Sequence, residues 1–176
     1  MKKIFAFLGV ALALLSSCGN STASTWKTYT QQEIVQMYFK GDAPLYSLGE
    51  EAGRPISVVA NRVRKSKALS SYATTENLFV IVNITLYSTI KEEVSILSDN
   101  LSLWSENIVK YTPSTSGAYL KEEAFLLIEK MNYGISKTMS VVYEVPNTPQ
   151  KYCFVFSWDK ILWGIDVGST EEMESL

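Results

Sequence analysis

The longest stretch of strict alternation in the chain runs from Leu78 to Tyr87. Leu78, Val80, Val82, Ile84 and Leu86 make one aliphatic face, and Phe79, Ile81, Asn83, Thr85 and Tyr87 make a mixed one. A period of two with one wholly apolar face predicts a central strand lying on a core. The same period recurs upstream, where Ile56, Val58 and Ala60 alternate with Ser57, Val59 and Asn61. Downstream, Met139, Val141, Tyr143 and Val145 alternate with Ser140, Val142 and Glu144. Pro146 ends that strand because it cannot donate to a ladder. Tyr152, Phe154, Phe156 and Trp158 then form an aromatic face, and Asp159-Lys160 turns the chain into 161–167. Shorter strands are predicted near 94–97, 100–104 and 108–111, the last two joined by Ser105-Glu106-Asn107.

Elsewhere the period changes. Thr30 followed by Glu33 reads as a capping box, Ile34, Met37 and Tyr38 share one helical face, and Gly41 supplies a stop. These signals predict a short amphipathic helix over 31–39, packing across an end of the domain. Segment 118–131 is ambiguous. Leu120, Ala124, Leu127, Ile128 and Met131 fit a second short helix near 118–128, whereas the approach to Asn132-Tyr133-Gly134 suits a strand. About eight short strands separated by polar turns predict an all-β chain. A two-layer antiparallel sandwich is the simplest arrangement, with a small barrel as the alternative.

The amino terminus has a different character. Met1-Lys2-Lys3 is a short basic region, and residues 4–15 form an apolar run too short to span a bilayer as a helix but suited to a signal segment. It ends in Leu15-Ser16-Ser17-Cys18, which resembles the bacterial lipobox: an aliphatic residue, two small residues and a cysteine. That resemblance implies cleavage before Cys18 and a diacylglyceryl group on its sulfur. Gly19-Asn20-Ser21-Thr22-Ala23-Ser24-Thr25 follows, small and uncharged like a flexible tether. The expected organisation is a signal at 1–18, a tether at 19–29, a helix and connection at 30–48, a sandwich at 49–169 and an acidic tail at 170–176. Lipid on Cys18 implies membrane anchoring in the cell envelope. By likeness to Gram-negative sorting, Gly19 after the cysteine implies the outer membrane, facing the periplasm.

Residues 45–167 resemble an exported bacterial family, domain of unknown function 4352. Four places carry the likeness. Leu48-Gly49-Glu50 precedes the strand beginning at Ile56, and Glu76 to Thr85 matches the long aliphatic strand. Leu101-Ser102-Leu103-Trp104 with Val109-Lys110-Tyr111 matches a central hairpin, though Ser105-Glu106-Asn107 stands where an Asp-Gly type of turn is usual. Tyr133-Gly134-Ile135-Ser136-Lys137, running to Val142-Tyr143-Glu144-Val145-Pro146, matches a late strand. The resemblance implies an immunoglobulin-like sandwich of about 7–9 strands, often on a lipoprotein. It implies no reaction.

Candidate chemistry narrows the picture by exclusion. The chain has no histidine, so serine–histidine–acid triads, cysteine–histidine pairs and histidine-based zinc sites are unavailable. With Cys18 assigned to lipid, Cys153 has no partner for a disulfide and reads as a small buried hydrophobe in an apolar strand. Ser88-Thr89-Ile90-Lys91, Ser98-Asp99-Asn100 and Lys137-Thr138-Met139 superficially resemble the motifs of penicillin-recognising serine enzymes. Ten residues between the first two serines leave no room for that fold. Arg62, Arg64, Lys65 and Lys67 form a basic cluster, read as a solvated strand end, and the adjacent Glu122 and Glu123 read as solvated charge. A formal charge of −2 argues against a nucleic-acid partner. No metal or cofactor is expected. Trp26, Tyr29, Tyr38 and Phe39 flank the tether and helix and form either an exposed contact patch or packing onto the sandwich. The expected role is a non-catalytic protein-binding or assembly module with an envelope protein partner. The alternative is a carrier or sensor of a small apolar or sugar ligand in an aromatic-lined pocket.

Overall fold

The computed structural model describes residues 29–176. The signal segment, Leu15, Ser16, Ser17, Cys18 and Trp26 lie outside the described residues. Two antiparallel sheets face each other. One has the order β1 (Glu51–Ala52), β2 (Ile56–Ser70), β3 (Ala73–Ser88), β8 (Ser136–Val145). The other has the order β10 (Ile161–Ser169), β9 (Lys151–Trp158), β5 (Leu101–Ser105), β6 (Lys110–Tyr111). Because β3 pairs with the distant β8, and β5 with the distant β9, the connections cross between layers in the Greek-key manner of an immunoglobulin-like sandwich. A small third sheet, β4 (Val94–Leu97) with β7 (Ile128–Met131), sends Ile96 and Met131 into the same core.

The alternation read from the sequence is the alternation that folds. Leu78, Val80, Val82, Ile84 and Leu86 meet Met139, Val141, Tyr143 and Val145 from β8, and Tyr152, Phe154 and Phe156 from the opposite sheet. Phe156 stacks on Trp163 at 5.6 Å, and Tyr143 meets Phe154 edge-on at 6.5 Å. Asp159 and Lys160 both adopt positive φ, the left-handed pair that a two-residue hairpin requires.

Helix α1 (Gln31–Lys40) forms with both capping-box bonds: Glu33 N–H donates to Thr30 Oγ1 at 3.2 Å, and Thr30 N–H donates to Glu33 Oε2 at 2.8 Å. Gly41 closes it at φ 77°. The helix does not cap an end of the sandwich. It lies on the outer face of the second sheet, where Val35 and Tyr38 cover Trp104, Cys153 and Val155. That cover explains why β9 is buried on both faces from Tyr152 to Phe156.

Two further expectations are corrected. No α-helix forms over 118–128. A 3₁₀ turn at Thr115–Tyr119 leads into an extended segment along β8, where Ser140 N–H donates to Glu123 O at 2.8 Å and Phe125 N–H to Ser140 O at 2.9 Å. These bonds satisfy the free edge of β8, an outcome worth more than an isolated helical turn. The acidic end does not hang free: Met173 is buried, and β11 (Glu174–Ser175) pairs in parallel with Arg64 and Lys65 of β2. The β5–β6 hairpin keeps its register through a left-handed Ile108 at φ 61°, with Ile108 N–H donating to Ser105 O at 2.9 Å.

Candidate functional site

Two β-bulges face one another on the same side of the sandwich. One interrupts β2 between Ala60 and Arg62, and the other interrupts β10 between Asp166 and Gly168. Gly168 takes φ 77°, a conformation that excludes most side chains. Two crossings frame the gap between these strands. Tyr46 N–H donates to Gly164 O at 2.9 Å and Gly49 N–H to Ala60 O at 2.8 Å, so residues 46–49 bridge from β10 to β2. Residues 169–175 bridge the same strands farther along, ending in the pairing of β11 with β2. The frame encloses an open cleft of about 560 Å³.

Its floor is core: Val63, Val167 and Met173 are buried there. Its rim is polar. Arg62 Nε donates to Glu174 Oε2 at 2.6 Å, an exposed pair that fixes the strap in register. Ser169 N–H and Oγ donate to Glu172 Oε2 at 2.8 and 2.9 Å. These donors, the backbone N–H first, hold the Glu172 carboxyl below its ordinary value. Asp166 Oδ1 accepts from Gly168 N–H at 2.9 Å. An apolar floor within a ring of oriented polar groups is the ordinary anatomy of a binding site, and the volume falls in the range of such sites. Bulges recur beside such sites because they end pairing and re-aim side chains.

The residues singled out from the sequence do not converge. Tyr29 is exposed, whereas Tyr38 is buried with its hydroxyl donating to Leu162 O at 3.2 Å, and Phe39 packs against the same cluster. Tyr38 and Phe39 therefore belong to the junction of helix and sheet, not to an exposed patch. On the aromatic face of β9, Tyr152, Phe154 and Phe156 are core and Trp158 is half-buried against it. Cys153 is a buried free thiol, and burial together with Asp166 pushes it well above the ordinary thiol value. Ser88 Oγ accepts from Ile90 N–H at 3.2 Å, Lys137 pairs with Glu129, and Asn100 Nδ2 donates to Ser157 O at 2.9 Å, so one residue of each motif in the serine-enzyme look-alike has a structural partner. The basic cluster is not simply solvated. Arg64 pairs with Glu122, whose carboxylate also accepts from Ser140 Oγ at 2.7 Å, and Asn83 Nδ2 donates to that hydroxyl at 3.2 Å. This network crosses the outer face of the first sheet. Glu122 thus has a partner 58 residues away that sequence spacing did not reveal.

Among the described residues no helix is long and apolar enough to cross a membrane. A family model described as a domain of unknown function, DUF4352, matches residues 46–165. No curated protein matches the chain in sequence. Among solved structures, yjhA of Bacillus subtilis superposes with a TM-score of 0.54 at 15% identity, over 70% of this chain and 99% of that one. The candidate lipoprotein ycdA of Bacillus subtilis subsp. subtilis str. 168 gives 0.51 at 18% identity, over 68% of this chain and 38% of its own length. A conserved hypothetical protein of Bacillus anthracis gives 0.51 at 13% identity, over 69% and 94%. At these identities the likeness shows the fold.

Proposed function

The chain belongs to the DUF4352 family, and from that premise we propose that it is a membrane-anchored envelope lipoprotein whose sandwich is a non-catalytic binding module. The anchor is lipid on Cys18, supported by Leu15-Ser16-Ser17-Cys18 behind an apolar run and by the structural likeness to the candidate lipoprotein ycdA. The partner is an envelope protein, and the surface that takes it is the cleft between the two bulges. That cleft is the single observation carrying the reading: it opens onto the core floor of Val63, Val167 and Met173 within a rim of Arg62, Asp166 and Glu172.

Edge-strand addition is a weaker route here. Residues 51–52 and 174–175 pair with β2, the 114–125 segment covers β8, and Tyr46 bridges to β10. Natural sheets block their edges in this way. Binding falls instead to the cleft that the blocking segments frame. The test is site-specific photocrosslinking in cells at Ser47, on the cleft rim, with the exposed Glu76, near the β2–β3 turn, as control. A discrete adduct at Ser47 and none at Glu76 supports the reading. Equal or absent adducts at both refute the cleft. Fractionation of Cys18→Ala beside the wild type, with mass spectrometry of the amino terminus, tests the anchor separately.

A further inference from the structure

Resting on the lipid anchor proposed above, we infer that the domain stands on the membrane with the end carrying the β2–β3 and β5–β6 turns against the lipid surface. The chain enters the fold at that end. Lys110 Nζ, at the start of β6, donates to Gln31 Oε1 at 3.3 Å, which seats the first turn of α1 beside the β5–β6 hairpin. The β2–β3 turn lies at the same end. Val145, at the end of β8, pairs with Leu78 of β3, and a short connection brings the chain to Lys151, whose carbonyl accepts from Glu106 N–H at 3.0 Å.

The lengths decide the orientation. Eleven residues from Cys18 to Tyr29 reach at most about 40 Å. Strand β3, of 16 residues, is itself about 50 Å long. The near end therefore stays within reach of the surface, and the far end is held off.

The near end also has the chemistry of an interface. Tyr72, at the tip of the β2–β3 turn, is 87% exposed, the most exposed of the large hydrophobic side chains described. A tyrosine there places an apolar ring and a hydroxyl at headgroup depth. Val109 is exposed on the neighbouring hairpin, and the exposed Lys67, Lys110 and Lys151 suit anionic headgroups. The exposed Glu76, Glu106 and Glu144 lie at the same end, so the charge there is mixed and the short tether contributes most. The opposite end, with Leu127, Ile128, Tyr133 and Ile135 exposed, points away from the bilayer.

The full-length lipidated protein in vesicles of phosphatidylcholine and phosphatidylglycerol, with a nitroxide on some headgroups, tests this. A fluorophore is placed through Ser71→Cys at the near turn or Asn132→Cys at the far loop, Cys153 being buried. The expected result is several-fold stronger quenching at position 71. Equal quenching, or stronger quenching at position 132, overturns the orientation. Intact mass distinguishes the two failures. A chain without lipid on Cys18 sinks anchor and orientation together, whereas equal quenching on a lipidated chain sinks the orientation alone.

Discussion

Replacing Gly164 with alanine is expected to lift α1 from its sheet while leaving the sandwich folded. A Cβ at this position would lie 2.6 Å from Tyr38 Cε2, 2.7 Å from Leu45 Cδ2 and 2.8 Å from Tyr38 Cδ2. The ring has little room to yield: Tyr38 is buried, and its hydroxyl is tied to Leu162 O. Overpacking of this kind costs about 1–3 kcal/mol, and alanine recovers about 0.5–1 kcal/mol of the penalty that glycine carries in a strand. The net expectation is a loss of about 1–2 kcal/mol, which lowers the melting temperature of a domain this size by about 2–8 °C. A more local readout lies beneath the helix. Cys153 is covered by Val35 and Tyr38, so a thiol reagent reaches it only when α1 opens. The Gly164→Ala protein should therefore react faster at Cys153 than the wild type while keeping its far-ultraviolet β signature. Unchanged melting together with unchanged thiol protection would refute the seating of Tyr38 on Gly164.

Tyr143 and Tyr152 bury hydroxyls that have no hydrogen-bond partner among the described residues. An unpaired buried hydroxyl costs about 1–3 kcal/mol, so Tyr143→Phe should raise the urea midpoint with an unchanged slope, and a lowered midpoint would show that the hydroxyl is paired. Burial pushes the Tyr152 phenol from 10.0 up to about 12. Its contribution is complete below pH 10, where the unfolded chain also keeps the proton, and is lost as pH rises toward 12. Stability from urea unfolding should be lower at about pH 11 than at about pH 9, and the share of that loss abolished by Tyr152→Phe should be no more than roughly 1.4 kcal/mol per pH unit, the raised Tyr38, Tyr143 and Cys153 adding to the rest. Ile108, β-branched at φ 61°, holds a conformation that costs about 1–2 kcal/mol. Ile108→Ala should thus be less stable than Ile108→Gly by about 1 kcal/mol in thermal melts, and the opposite order would mean that the turn is not left-handed. Arg64→Ala should cost about 1–3 kcal/mol by stripping Glu122 of its charged partner, and Glu122→Gln should recover part of that loss in the double variant.

Local signals in the sequence translated well because they depend on near neighbours. The capping box at Thr30 and Glu33, the stop at Gly41 and the turn at Asp159-Lys160 are all satisfied within a few residues, and the alternation from Leu78 to Tyr87 needs only a core on one side. Long-range partners stayed hidden. Nothing in the spacing around Tyr38 shows that Gly164, on a strand 126 positions later, leaves room for its ring. Segment 118–131 misled because five apolar residues share a helical period, yet Phe125 and Met131 are the residues that reach the core while Leu127 and Ile128 face solvent. The cleft was illegible for a similar reason. Its walls come from four separate parts of the chain, and no motif marks two bulges that oppose each other only after the sheets stack.

The strap that closes the cleft has a kinetic side. Arg62 and Glu174 are 112 residues apart, and β2 gains its last edge partner only when Glu174 arrives. Closing so long a loop is slow, and it comes after every shorter pairing in the first sheet. A chain threaded residue by residue through a narrow passage would meet no finished fold on the entry side, since the edge of β2 stays open until the final stretch has followed. The same order makes the open edge the exposed surface of every partly made chain, and it marks the interval in which a chaperone or a neighbouring copy competes with Glu174 and Ser175 for β2.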